Sequence, residues 1–134
     1  MKGKFCMSEP HKEWLESAES DLQFATVGFQ DEFYSHVCFL SQQAIEKILK
    51  GILVSQGKFY PKTHNLRELI KLVSGIDLKR YYTQVSIIDG YYVPMRYPDA
   101  APGSRADRSP NREEAWEALE IGRGILKEAK AFLN

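Results

Sequence analysis

Three groups of residues in this chain have side chains at spacings that could do chemistry. The first lies within SQQAIEKILKGIL, residues 41–53. On a helix, Gln43, Lys47 and Lys50 share one face, with Glu46 at its edge. Two ammonium groups and an amide in a row suit a groove that holds phosphates. They equally suit a solvated face, on which Glu46 and Lys50 form an i,i+4 pair worth about 0.2–0.5 kcal/mol. The second group is YYVPMRYPD, residues 91–99. The planar guanidinium of Arg96 could clamp a phosphate or a carboxylate through two parallel bonds. Tyr97 could stack on a base or pack at an interface, and Asp99 closes the motif. Alternatively, Arg96 pins its segment to the fold by pairing with Asp21 or Glu46. Asp21 borders an apolar stripe, where a lone charge needs a partner. The third group is THNL, residues 63–66, in which His64 opens a helix. There it is a cap or surface group, or, in the sharper alternative, an acid–base group.

The elements that must position these residues are helical. Leu15, Ala18, Leu22, Ala25 and Phe29 recur at spacings of three and four, one continuous stripe. Ser8 before Pro10 predicts the start of this helix, and Gly28 lies near its end. A second helix is expected from a cap at Asp31 to Gly57. Its stripes, Phe33-Val37-Leu40-Ala44-Ile48-Ile52 and Cys38-Ile45-Leu49, cover so wide an arc that it should be central. Thr63 or Asn65 caps a short third helix with Leu66, Leu69, Ile70 and Val73 inward, stopped at Ser74-Gly75. Asp77 caps a fourth carrying Leu78, Tyr81, Tyr82, Val85 and Ile88. From Val93 to Pro110 the period vanishes and four of the six prolines cluster, which predicts a long loop. A last helix is expected with Ser109 as cap, Pro110 at its first position, and Ala115, Leu119, Gly122, Leu126, Ala129 and Leu133 inward. The fold class is therefore all-α, an up-and-down bundle of four to five helices.

Composition narrows the function classes. The 134 residues suffice for one core: a tail over 1–9 and a single helical domain over 10–134. Eighteen basic residues balance eighteen acidic ones, so the chain lacks the basic excess that extended nucleic-acid binding needs. Cys6 and Cys38 make no disulfide framework, which suits a reduced cytoplasm. His11, His36 and His64 are scattered without ligand spacing, so no metal or other cofactor is expected. No apolar run approaches the ~20 residues of a membrane helix.

Four motifs taken in order, ESAESDLQFA with Asp21, SQQAIEKILKGIL, THNLRELI and RYPD before a final helix, resemble the HEPN domain family over about residues 10–133. The resemblance implies a bundle of four or five helices, often paired into dimers, that binds a nucleotide. Many members are ribonucleases, frequently toxins, built on an Arg followed four to six residues later by a His. All seven arginines here follow the last histidine, His64, so that motif is absent. Other members act beside a small nucleotidyltransferase, and this sequence is similar to that group. The expected function is a non-catalytic, homodimeric domain that binds a nucleotide or a nucleotidyltransferase partner. The alternatives are a ribonuclease or toxin with an altered site, and a purely structural dimer module. On this reading Arg96, Tyr97, Asp99, Gln43, Lys47 and Lys50 contact the ligand, and Asp21 and Glu46 hold the loop. Tyr81, Tyr82, Tyr91 and Tyr92 are expected at the dimer interface, where aromatic residues concentrate.

Overall fold

The structure is a computed structural model that describes residues 9–96 and 109–134. The Ser8 cap, Cys6, and the segment holding Tyr97 and Asp99 lie outside the described residues. Five α-helices make the fold: α1 (Pro10–Gln30), α2 (Tyr34–Ser55), α3 (Leu66–Leu72), α4 (Tyr82–Arg96) and α5 (Arg112–Leu133). A 3-10 turn, Lys79–Tyr81, leads into α4. No strand occurs among the described residues.

The stripes face where their periods direct them, except that Phe33, expected inward on α2, sits at its N-cap and stays exposed. Leu15, Ala18, Leu22, Ala25 and Phe29 are the buried residues of α1. On α2, Val37, Cys38, Ala44, Ile45, Ile48, Leu49, Ile52 and Leu53 are wholly buried. Helix α2 packs against α1, α3, α4 and α5, so it is the axle of the bundle. Each fully buried Leu or Ile contributes about 1.5–3 kcal/mol, which makes this helix the largest single source of stability.

The helix ends depart from expectation at several points. Asp31 does not cap α2; it is the C-cap of α1, its N–H bonding to the Val27 carbonyl at 3.2 Å. Glu32 then takes a left-handed φ of 68°, and the Phe33 N–H returns to the Gly28 carbonyl. The chain reverses in three residues, which leaves Asp31 no position ahead of α2. Gly57, with φ 69°, terminates α2 as a left-handed residue can. Asn65 rather than Thr63 caps α3, accepting from the Glu68 N–H at 3.2 Å. Asp77 accepts from the Lys79 N–H and shapes the 3-10 turn, so α4 starts five residues beyond it. Helix α4 also continues past Val93 to Arg96, taking four residues from the expected loop. Ser109 is not the last cap, and Pro110 is buried ahead of the helix. Asn111 caps α5 in a reciprocal box with Glu114.

Two glycines set the closeness of the helices. A Cβ on Gly51 would sit 2.9 Å from Cβ of Trp14, and one on Gly122 would sit 2.9 Å from Cδ2 of Leu22. The first contact is with a side-chain root that cannot swing away. Gly51→Val should therefore destabilise the chain by about 1–3 kcal/mol through overpacking. Thermal unfolding measures it, and an unchanged midpoint would contradict the tight α1–α2 approach.

Candidate functional site

The polar face of α2 divides into two rows. Gln42, Glu46 and Lys50, at i, i+4 and i+8, face the segment returning from α2 to α3. Gln43 lies beside them, and its amide donates to Oε1 of Gln42 at 2.8 Å. Lys47 faces α1, where its ammonium lies 2.8 Å from Oδ2 of Asp21 and donates to Oγ of Ser17 at 2.8 Å. The Asp21 contact is one of charge, since Oδ2 accepts no well-aligned hydrogen bond.

The first row carries the unusual chemistry. Glu46 and Lys50 are both buried, and their ion pair closes at 2.8 Å. Removing two charges from water is costly, and further contacts offset it. The Lys50 ammonium sits 5.1 Å over the Tyr60 ring, which packs edge-on to Trp14. Nδ1 of His64 lies 3.1 and 3.2 Å from the two Glu46 carboxylate oxygens. Glu46 thus joins a buried ammonium and an imidazole whose side chain remains 52% exposed. A carboxylate bonded at Nδ1 fixes the orientation of an imidazole.

His64 is held from three sides. The Gln42 amide donates to its backbone carbonyl at 2.8 Å. Two residues on, Asp89 of α4 accepts from the Leu66 N–H at 2.9 Å and the Arg67 N–H at 3.3 Å. Nε of Arg67 also donates to Asp89, at 3.1 Å. The Asp89 side chain is 8% exposed. Burial pushes its carboxyl above the ordinary carboxylate range, while the bonds from Leu66 and Arg67 and the Arg67 charge oppose that rise.

The structure thus brings Glu46 and Lys50 to one seam, with Gln43 beside it, and adds His64, Gln42 and, at its far end, Asp89, while Lys47 and Asp21 meet on the α1 side. Lys47 and Lys50 are engaged by Asp21 and Glu46, the two carboxylates expected to receive Arg96. The backbone of Arg96 ends α4, two turns beyond Asp89 on the same stripe, and its side chain lies outside the described residues. Gln42 and Asp89 carry the clearest sequence trace in retrospect: each is a polar residue set in an otherwise apolar stripe. No group of three His, Cys, Asp or Glu among the described residues could hold a metal ion. No described helix is long and apolar enough to cross a membrane.

Comparison with known proteins follows the same lines. The family model for the HEPN domain matches residues 11–132. The chain belongs to the HEPN domain family. The crystal structure of TT1696 from Thermus thermophilus superposes with a TM-score of 0.80 at 32% identity, covering 92% of this chain and 98% of that one. The crystal structure of ST0689, an archaeal HEPN homologue, gives 0.74 at 29% identity over 96% and 100%. A Methanocaldococcus jannaschii protein named "Putative toxin MJ1304" is 25% identical over an alignment 133 residues long that covers 92% of this chain and 88% of that protein. The all-α fold of these relatives matches the five helices described above.

Two predictions follow from the seam's electrostatics. Glu46→Ala leaves the Lys50 ammonium buried without its anion and should cost about 3–5 kcal/mol. Denaturant unfolding measures it; a loss under about 1 kcal/mol would refute the buried pair. Asp89 titrates higher in the folded chain than in the unfolded one, so its contribution to stability is complete at low pH. It is lost as pH rises from the usual ~3.9 through the folded value. Asp89→Asn should remove this decline, read from unfolding midpoints across acidic pH; an unchanged slope would contradict the assignment.

Proposed function

We propose that this HEPN domain is a non-catalytic module that dimerises and binds a nucleotide or a nucleotidyltransferase partner, working in the cytoplasm. The observation that carries this is the fate of the chain's last histidine. His64 precedes every arginine in the sequence and is bonded to Glu46, so no Arg-then-His pair of the ribonuclease type can form. The anionic part of the ligand falls to Arg96, with Tyr97 as a stacking wall and Asp99 completing the RYPD motif. Lys47 and Lys50 are neutralised by Asp21 and Glu46, so they shape the seam's field, and Gln43 extends its hydrogen-bonding edge.

A second reading is a toxin that cleaves RNA through an altered site. The toxin name carried by the relative from Methanocaldococcus jannaschii favours it. The two readings separate on the same protein. ATP or GTP should raise the melting temperature, and Arg96→Ala should abolish that rise. Arg96→Lys should weaken binding as well, because the planar fork is lost although the charge is kept. RNA should remain intact, since an arginine alone is no general base near neutral pH. Metal-independent cleavage that disappears in Arg96→Ala would overturn the non-catalytic reading. Unchanged nucleotide affinity in the same variant would remove RYPD from the binding site.

A further inference from the structure

Two polar bridges cross the groove between α1 and α5. At one end, Arg123 donates to the Thr26 hydroxyl at 2.6 Å. At the other, Lys130 pairs with Glu19 at 2.9 Å. The bridges are seven residues apart on each helix, about 10 Å along the axis. Between them lies an open recess of about 400 Å³, with Leu22 and Leu126 in its floor. None of the seam residues described above lines it.

The recess holds more positive charge than the chain uses. Arg123, Lys127 and Lys130 line it against one carboxylate, Glu19. Lys127 is exposed and has no hydrogen bond or ion pair among the described residues. It stands at i,i+4 from Arg123 and i,i+3 from Lys130, where like charges repel. The helix dipole does not account for it, because Lys127 lies more than one turn from the end of α5. The nearest carboxylates are committed elsewhere: Glu120 to Arg123 at 2.6 Å, and Glu128 to Arg80 and Tyr81. Gln23 of α1, also on the lining, is exposed and likewise without a partner among the described residues.

Arg123 is the fixed element of this recess. Its guanidinium is bonded to Glu120 through one nitrogen and to Thr26 through another, and it lies 5.7 Å over the Trp116 ring. Thr26 is free to accept because its own proton goes to the Leu22 carbonyl at 2.9 Å. A planar cation is thus held in place with N–H groups left to donate. We infer that the recess binds a small organic anion, one carboxylate or phosphate group on a short apolar body. The anionic group lies between Arg123 and Lys127, where it relieves the repulsion among the three cations. The Gln23 amide donates to one of its oxygens. The apolar body lies along Leu22, Leu126 and the methylene stems of the two lysines. Glu117 and Glu120, farther along α5, repel a longer polyanion. The site goes beyond the proposed function, since RYPD contributes no residue to it.

Heteronuclear NMR titration of the full chain tests it, with octanoate and octyl phosphate as probes and octanol and inorganic phosphate as controls. At least one probe should bind saturably and shift the amides of residues 19–26 and 123–130. The tighter of the two tells a carboxylate site from a phosphate site. Each control lacks half of the recognised chemistry and should bind about tenfold more weakly or worse. Lys127→Gln should weaken the probe by about fivefold or more. Gln23→Trp fills the recess without changing its charge and should abolish binding. Both positions are exposed, so circular dichroism should show both variants folded. No saturable shift with either probe, shifts confined to other helices, or unchanged affinity in either folded variant would overturn the site. Inorganic phosphate or octanol bound as tightly as the probes would overturn it too. Nucleotide binding through Arg96 is read separately and survives either result.

Discussion

The buried pair of Glu46 and Lys50 constrains the rest of this molecule. A carboxylate and an ammonium in the middle of the central helix are poor candidates for raising stability, since apolar residues of similar volume do as well or better. Their effect is on arrangement. Glu46 satisfies its second hydrogen-bonding direction only if His64 is at the seam, and Lys50 completes its surroundings only with the Tyr60 ring above it. Both partners belong to the stretch that returns from the end of α2 to the start of α3. The pair therefore decides where an otherwise irregular connection must lie. Gln42 and Asp89 then hold its far end from two different helices.

The same pair explains why α2 can be almost wholly apolar elsewhere. A helix packed against four neighbours has little water-facing surface, and its polar residues must find partners inside the protein. Gln42 and Gln43 bond to each other and to the chain, Lys47 finds Asp21 and Ser17, and Glu46 finds Lys50 and His64. Gly51 brings Trp14 close enough for its ring to back Tyr60, which in turn covers Lys50. A change at the helix–helix contact would thus reach the imidazole through two aromatic rings, one ammonium and the Glu46 carboxylate.

Much of the fold was legible in the sequence because it rests on local periodicity. The stripes of α1, α2 and α5 are set by residues three and four apart, and the structure turns them inward except at Phe33, which caps α2 and is 57% exposed. The helix ends were less legible, because several capping side chains stood near each boundary. Asp31 and Ser109 have suitable side chains, but the three-residue reversal after Gln30 and the reciprocal Asn111–Glu114 box decided otherwise. The seam was legible only in part. Sequence spacing placed Gln43, Glu46, Lys47 and Lys50 on one face, and could not show that the face splits between α1 and the return segment. Asp21 was recognised as a charge in need of a partner, yet the partner came from α2. The contacts of His64 with Glu46 and of Asp89 with Leu66 span 18 and 23 residues, beyond anything a helical period encodes.

Net charge carries a further lesson in this chain. Eighteen positive and eighteen negative groups cancel, and at that level the protein has no field with which to attract a partner. Cancellation over the chain says nothing of separation within a helix. On α5 the acidic and basic groups occupy opposite halves, and a surface of that kind is complementary to its own image turned by half a revolution. Neutrality with segregation thus sets this face apart from a uniformly charged one: a polyanion would gain from the basic half and be repelled by the acidic one.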